Sequence, residues 1–183
     1  MTRLDELRLS RYDGAAARGL TNQLVEVYAD VYADRVDNPF FSVDRFAERL
    51  TRHQQAPGYA LVTGEIAGTL TGYAYGASLR ADTLWWDGLL DAVPAELIRE
   101  TGRRTFALNE IMVRAPWRRR GIAGRLHNAL LGGRTEERAT LLVEQGNAPA
   151  KAAYARWGWQ HVGFLQPFPD APVYDSMLLP LRS

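Results

Sequence analysis

The stretch from Arg104 to Gly133, RTFALNEIMV followed by RAPWRRRGIAGRLHNALLGG, narrows the possible folds more than any other part of the chain. Its first ten residues have the apolar, branched character of a buried strand. A proline-containing loop, three consecutive arginines and a glycine follow. Helical periodicity then begins, with Ile122, Leu126, Ala129 and Leu130 on one face and Gly132-Gly133 as the stop. A strand that opens through a glycine loop into a helix is anion-binding architecture. The first-turn N–H groups of a helix lack internal partners and lie at the positive end of its dipole. Gly121, Ala123 and Gly124 carry little or no side chain, so a phosphate can reach that backbone. Arg118, Arg119 and Arg120 add charge and forked donors beside it. The loop does not fit G-x-x-x-x-G-K-[ST]. It also fails the dinucleotide fingerprint, because Arg119 and Arg120 stand in the tight turn, although Glu144 lies near the distance expected of its acidic residue.

Composition limits the alternatives. The 183 residues suffice for one domain, residues 1–183, with a sizeable core. There is no cysteine, which removes disulfides, thiolate metal sites and an acyl-cysteine mechanism. His53, His127 and His161 have no partners at metal-ligand spacing, so no metal is expected, and His127 is read as solvent-facing. Net charge is +1, and 22 basic residues include a single lysine, Lys151. Arginine is thus favoured throughout, and the triplet alone is no nucleic-acid signature. No apolar run reaches the roughly 18 residues of a membrane span. The start, MTRLDELRLS, lacks the apolar centre of a secretory signal. Expectations are a cytoplasmic protein with no membrane and no nucleic-acid partner; a homodimer is left open.

The element order reads as α+β. Leu4–Ser10 is a weak strand, and the spacing from Ala15 to about Asp34 predicts a helix broken by Asn38-Pro39. Ser42 caps a second helix whose buried face holds Phe46 and Leu50. Gly58–Leu79 gives two strands with the turn at Gly64-Glu65. After Arg104–Val113 and the loop–helix unit come strand ATLLVEQ, helix Ala148–Arg156, and closing strands near Gln160–Phe164 and Val173–Leu178. Residues 80–104 form an insert far longer than a hairpin loop of about 2–5 residues, with a short helix within Pro94–Glu100.

Arg118-x-x-Gly121-x-Ala123 resembles the R/Q-x-x-G-x-G/A signature of the GNAT superfamily of N-acetyltransferases. Downstream, Asn147, Ala150, Tyr154 and Gly158-Trp159 resemble that family's N-x-x-A-x-x-x-Y helix followed by Gly-Phe. The likeness is strong over about 60 residues, from Phe106 to Phe164, and rests on element order elsewhere. Departures are Arg119 and Ala123 where glycine is common, Trp159 for phenylalanine, and a late proline, Pro116. The resemblance implies a GNAT-like mixed, mostly antiparallel central sheet flanked by helices on both faces. It also implies acetyl-CoA as cosubstrate, held by Met112, Val113, Arg118, Arg119, Arg120, Gly121, Ile122, Ala123, Gly124, Asn147 and Tyr154, with the Val113 N–H as oxyanion donor.

Acetyl transfer from a thioester to an amine requires a neutral amine, a stabilised oxyanion and a protonated leaving thiolate. Without a cysteine or G-x-S-x-G, direct attack in a ternary complex is favoured. The resemblance makes Tyr154 the leaving-group acid; spacing alone allows a core tyrosine. Glu110 is the candidate base, with a structural salt bridge to an arginine as the equal alternative. Asn147 reads as a helix cap as well as a pantetheine contact. On the acceptor side, Trp85, Trp86 and Asp87 make the insert aromatic and acidic, suited to a small cationic amine. The alternative is that the tryptophans pin the insert to the core. Phe164–Tyr174 is read as an opposite wall. Two rival functions are acyl-CoA sensing without turnover, and nucleic-acid binding through Arg114, Arg118, Arg119 and Arg120.

Overall fold

Seven strands make one open, mostly antiparallel sheet in the structure, a computed structural model that describes residues 6–181. The strands are β1 (Arg8–Tyr12), β2 (Ala60–Ile66), β3 (Thr69–Ser78), β4 (Thr105–Val113), β5 (Arg138–Glu144), β6 (Gln160–Leu165) and β7 (Tyr174–Pro180). Their order is β1-β2-β3-β4-β5-β7-β6. The helices are α1 (Gly14–Ala17), α2 (Thr21–Val31), α3 (Val43–Gln54), α4 (Ala95–Ile98), α5 (Ile122–Leu131) and α6 (Ala148–Arg156). The α+β expectation holds. Leu4 and Asp5 of the predicted first strand lie outside the described residues.

The chain forms two compact units. The first is the chain up to Ala77 with Leu108–Gly133; the second is Ser78–Ala107 with the chain from Arg134 on.

In the first unit α2 and α3 bury an aromatic core against β2 and β3. Leu24, Val27, Phe46, Leu50, Leu61, Tyr73 and Tyr75 are fully enclosed. Each large side chain buried this way contributes about 1.5–3 kcal/mol. Ser42 caps α3 as expected, its hydroxyl accepting from the Arg45 N–H at 3.3 Å. On the opposite face of β2 sits α5, where a Cβ on Gly64 would lie 3.5 Å from Leu126.

Three local expectations are corrected here. The β2–β3 turn is Ala67-Gly68, not Gly64-Glu65. Both turn residues have positive φ, 49° and 78°, as a two-residue hairpin loop of this hand requires, and Gly64/Glu65 is instead a bulge. The long first helix is divided. Gln54 Nε2 donates to Ala17 O at 3.2 Å, taking the carbonyl a continuous helix would use, and the Thr21 N–H turns to Arg18 O. A 3-10 turn, Arg18–Leu20, fills the gap, and α2 already ends at Val31. His127, read as solvent-facing, is 4% exposed. It lies between Leu126 and Leu130 on the inner side of α5, and its Nδ1 meets Asn128 Oδ1 at 2.9 Å.

In the second unit β4 begins parallel to β5, Thr105 opposite Arg138 and Ala107 opposite Thr140. β7 pairs antiparallel with both β5 and β6. The insert folds onto this unit: Leu79, Trp86, Ala107 and Leu165 form its small core, with Trp85 packed against it.

Candidate functional site

β4 delivers two groups in the first unit. At its end, Arg114 is locked in place. Its backbone N–H donates to Thr71 O at 2.8 Å, and its guanidinium donates to Leu70 O, Asp30 and Glu26 at 3.0–3.1 Å. Gly72 lets the strands come together, since a Cβ there would meet Met112 O at 2.4 Å. A 3-10 turn, Ala115–Trp117, starts with Pro116 in its first positions. Arg118 Nε then donates back to Val113 O at 2.9 Å, so this arginine braces the strand end. Arg119 adopts φ 59° and Gly121 φ 76°, both left-handed. A Cβ on Gly121 would meet no atom within 4 Å, so glycine is needed there for its backbone freedom, not for space. Gly121 caps α5 without any side-chain hydrogen bond. The first-turn N–H groups from Ile122 to Gly124 therefore have no side chain capping them, beside the exposed Arg119 and Arg120. Arg120 also stacks over Trp117, 5.2 Å from the ring centre.

Midway along β4, Glu110 meets Arg49 of α3, Oε1 to Nη2 at 3.1 Å. The salt-bridge alternative from the sequence is thus present. Burial still raises the Glu110 carboxyl above its ordinary value, with Arg49 pulling the other way. Around the pair stand tyrosines. Arg49 also hydrogen-bonds Tyr28 and Tyr75. Tyr28 OH donates to Phe41 O at 2.9 Å, and burial, followed by the Glu110 charge, pushes it up to about 12. His53, one turn after Arg49, contacts Tyr75 OH through Nδ1 at 3.3 Å. Burial, and then the charges of Arg49 and Arg52, lower His53 to about 4. Tyr59 packs 5.6 Å from Tyr75, and its hydroxyl is buried with no partner among the described residues.

The second unit holds the other predicted residues. Asn147 caps α6, its Oδ1 accepting from the Ala150 N–H at 3.2 Å, with Pro149 in the first turn. Tyr154 lies on the buried side of α6, edge-on to Trp157 and Trp159 at 5.7 and 5.9 Å. Lys151, one turn earlier, is paired with buried Asp175 at 2.5 Å. The helix ends at Gly158, φ 89°, a left-handed residue that glycine supplies at little cost.

In the insert, Trp86 donates from Nε1 to Glu100 Oε1 at 3.0 Å and is 5% exposed. Trp85 is half-buried, and its indole N–H has no partner among the described residues. Asp87 is exposed. Asp91, also in the insert, accepts the Phe164 N–H at 2.6 Å and ties the insert to β6. Sequence reasoning missed the polar centre here. Glu100 Oε1 also accepts from Thr105 at 2.8 Å and from Arg138 at 3.0 Å. Its only signal was a carboxylate just before the Gly102 stop, which does not name partners 5 and 38 residues away.

Among the described residues no group of three acidic, histidine or cysteine side chains is placed to hold a metal. Nor is any helix there long and apolar enough to cross a membrane. Of the four arginines considered for nucleic acid, Arg114 and Arg118 are engaged within the first unit.

The acetyltransferase (GNAT) family model matches residues 21–159, most of the chain. The chain belongs to the GNAT family. Solved structures share its fold at low identity. The Pyrococcus horikoshii protein PH1933 is 15% identical with TM-score 0.71, covering 97% of this chain and 100% of its own. Aminoglycoside 6'-acetyltransferase type Ii is 16% identical with TM-score 0.67, covering 96% and 98%. PaiA N-acetyltransferase from Thermoplasma acidophilum, solved with coenzyme A, is 11% identical with TM-score 0.56, covering 95% and 98%. No curated protein sequence matches the chain. As a GNAT family member it is an acetyltransferase by family. The putative acetyltransferase yncA from Salmonella typhimurium, solved with acetyl-CoA, is 17% identical with TM-score 0.60, covering 97% and 95%.

Proposed function

We propose that this protein is a cytoplasmic N-acetyltransferase that moves an acetyl group from acetyl-CoA to the primary amine of a small-molecule acceptor. The observation that carries the reading is the left-handed Gly121 at the head of α5. It leaves a helix N-terminus without a side-chain cap, flanked by two exposed arginines. A pyrophosphate suits that arrangement, because several N–H donors and two cations meet four oxygens that share two negative charges. Met112, Val113, Ile122, Ala123 and Gly124 would offer backbone groups, Arg119 and Arg120 charge, and Asn147 a contact to the pantetheine arm. Arg118 acts through its hold on Val113 O.

When bound, acetyl-CoA supplies the activated acyl group as a thioester. The chain's own residues manage the protons. Glu110 accepts one from the incoming ammonium, directly or through water, leaving a neutral amine with a free lone pair. Its burial favours this, since a carboxyl raised above its ordinary value is a stronger base. The Val113 N–H donates to the oxygen charge that develops on attack. Tyr154 gives its hydroxyl proton to the departing thiolate and regains one from the nitrogen that has become an amide. The balance is one ammonium and one thioester in, and one amide, one thiol and one proton out. Half-buried Trp85 and exposed Asp87 are the insert residues offered to the acceptor; Trp86 holds the insert in place.

Calorimetric titration with acetyl-CoA, and with NAD as control, tests the cosubstrate. Saturable one-to-one binding absent for NAD is expected. No binding at moderate salt defeats the reading. An amine screen with wild type and Tyr154→Phe then tests the chemistry.

A further inference from the structure

An acid and an arginine lie side by side within a largely tyrosine-lined part of the first unit. Glu110 and Arg49 keep 15% and 21% of their side chains exposed, enough for a small molecule to touch both. The guanidinium has five donors. Glu110, Tyr28 and Tyr75 are its described partners, which leaves it room to bind an anion. Other arginines of this unit stack on aromatic rings or lie near His53. Arg35 stacks 3.8 Å over Phe41, Arg45 4.7 Å over Phe40, and Arg52 lies near enough to His53 to lower its basicity. His53 is itself neutral near pH 7. A polycation would meet a carboxylate already paired with an arginine.

We propose that the acceptor is a free amino acid, a zwitterion whose ammonium meets Glu110 and whose carboxylate meets Arg49. This rests on the reading of Glu110 as the group that receives the acceptor's proton. Two opposite charges set 3.1 Å apart are the complement of a molecule carrying the same two charges in reverse. Arg49 is then a specificity determinant: it separates amino acids from amines lacking the carboxylate.

The test uses the full chain with acetyl-CoA and matched amines: phenylalanine, its amide, phenethylamine and spermidine. Thiol release and the product's mass are read together. Phenylalanine is expected to exceed the amide and phenethylamine in kcat/KM by about 10- to 100-fold, as loss of one charged hydrogen-bonded contact implies. Arg49→Gln should collapse that ratio toward one, and Arg49→Lys should keep part of it. If either variant fails to fold, the wild-type ratio still decides. Equal turnover of phenylalanine and phenethylamine, or faster turnover of spermidine, overturns the amino-acid inference and leaves the acetyltransferase reading standing. Acetyl-CoA binding with no transfer to any of the four overturns the amino-acid inference, and absence of acetyl-CoA binding overturns the acetyltransferase reading as well.

Discussion

The Arg49–Glu110 pair of the first unit and the Arg138–Glu100 pair of the second are built differently. In the second unit, Glu100 is 1% exposed, and one of its oxygens takes donors from Trp86, Thr105 and Arg138. Arg138 in turn reaches Leu97 O and Thr105 Oγ1. Every partner belongs to the insert or to the strands beneath it, so the pair fastens one to the other. In the first unit, Glu110 receives Arg49 on one oxygen and keeps a route to solvent. The enclosed pair is a fastener, even though Glu100 Oε2 is buried with no partner among the described residues; the pair with access to solvent is available to a ligand. Removing one partner of the fastener leaves an uncompensated buried charge, which costs about 3–5 kcal/mol.

Four substitutions or titrations can break this contrast. Glu110→Gln should lower kcat about 10²–10⁴-fold, the usual worth of a positioned base, with a smaller loss of stability than its counterpart. Steady-state rates and a denaturant titration check this, and a near-wild-type kcat would make Glu110 a fastener too. Glu100→Ala should destabilise by about 3–5 kcal/mol while the folded fraction keeps its specific activity. Tyr154→Phe should reduce kcat about 10²-fold and leave the acetyl-CoA dissociation constant unchanged. The His53 contribution is a pH effect. Its folded value of about 4 lies below the ordinary histidine value, so the unfolded chain binds the proton first. Stability should fall as pH drops from 6.5 toward 4, by on the order of 2–3 kcal/mol, and level off below. Unfolding midpoints across that range test it, and His53→Asn should flatten the curve. Arg49→Gln sharpens the comparison further: without the guanidinium, Glu110 should hold its proton to higher pH and shift the acidic limb of the rate profile upward.

What the sequence revealed follows the range of the forces involved. The strand Thr105–Val113, helices α5 and α6, and the Ser42 and Asn147 caps are set by neighbours within a few residues, and all were readable. The signature loop was readable for the same reason. The hairpin turn was not, because Ala67 in a left-handed conformation carries no turn signal while Gly64 does. The divided first helix depended on Gln54, more than 30 residues away. The Glu110–Arg49 pair spans 61 residues, and in a chain with arginines at every turn nothing local singled out Arg49. His127 was misread because one extra buried position on a helix flank is settled by packing, not by period.

Arg119 shows what the loop gives up for its charge. An arginine held at φ 59° occupies a conformation that costs an ordinary side chain about 1–2 kcal/mol and glycine almost nothing. Arg119→Gly should therefore make a sturdier protein with a weaker grip on an anion. A selection for heat resistance alone would drift toward glycine at this position, and a selection for turnover would keep the arginine. The residue found there records which of the two demands this loop has answered to.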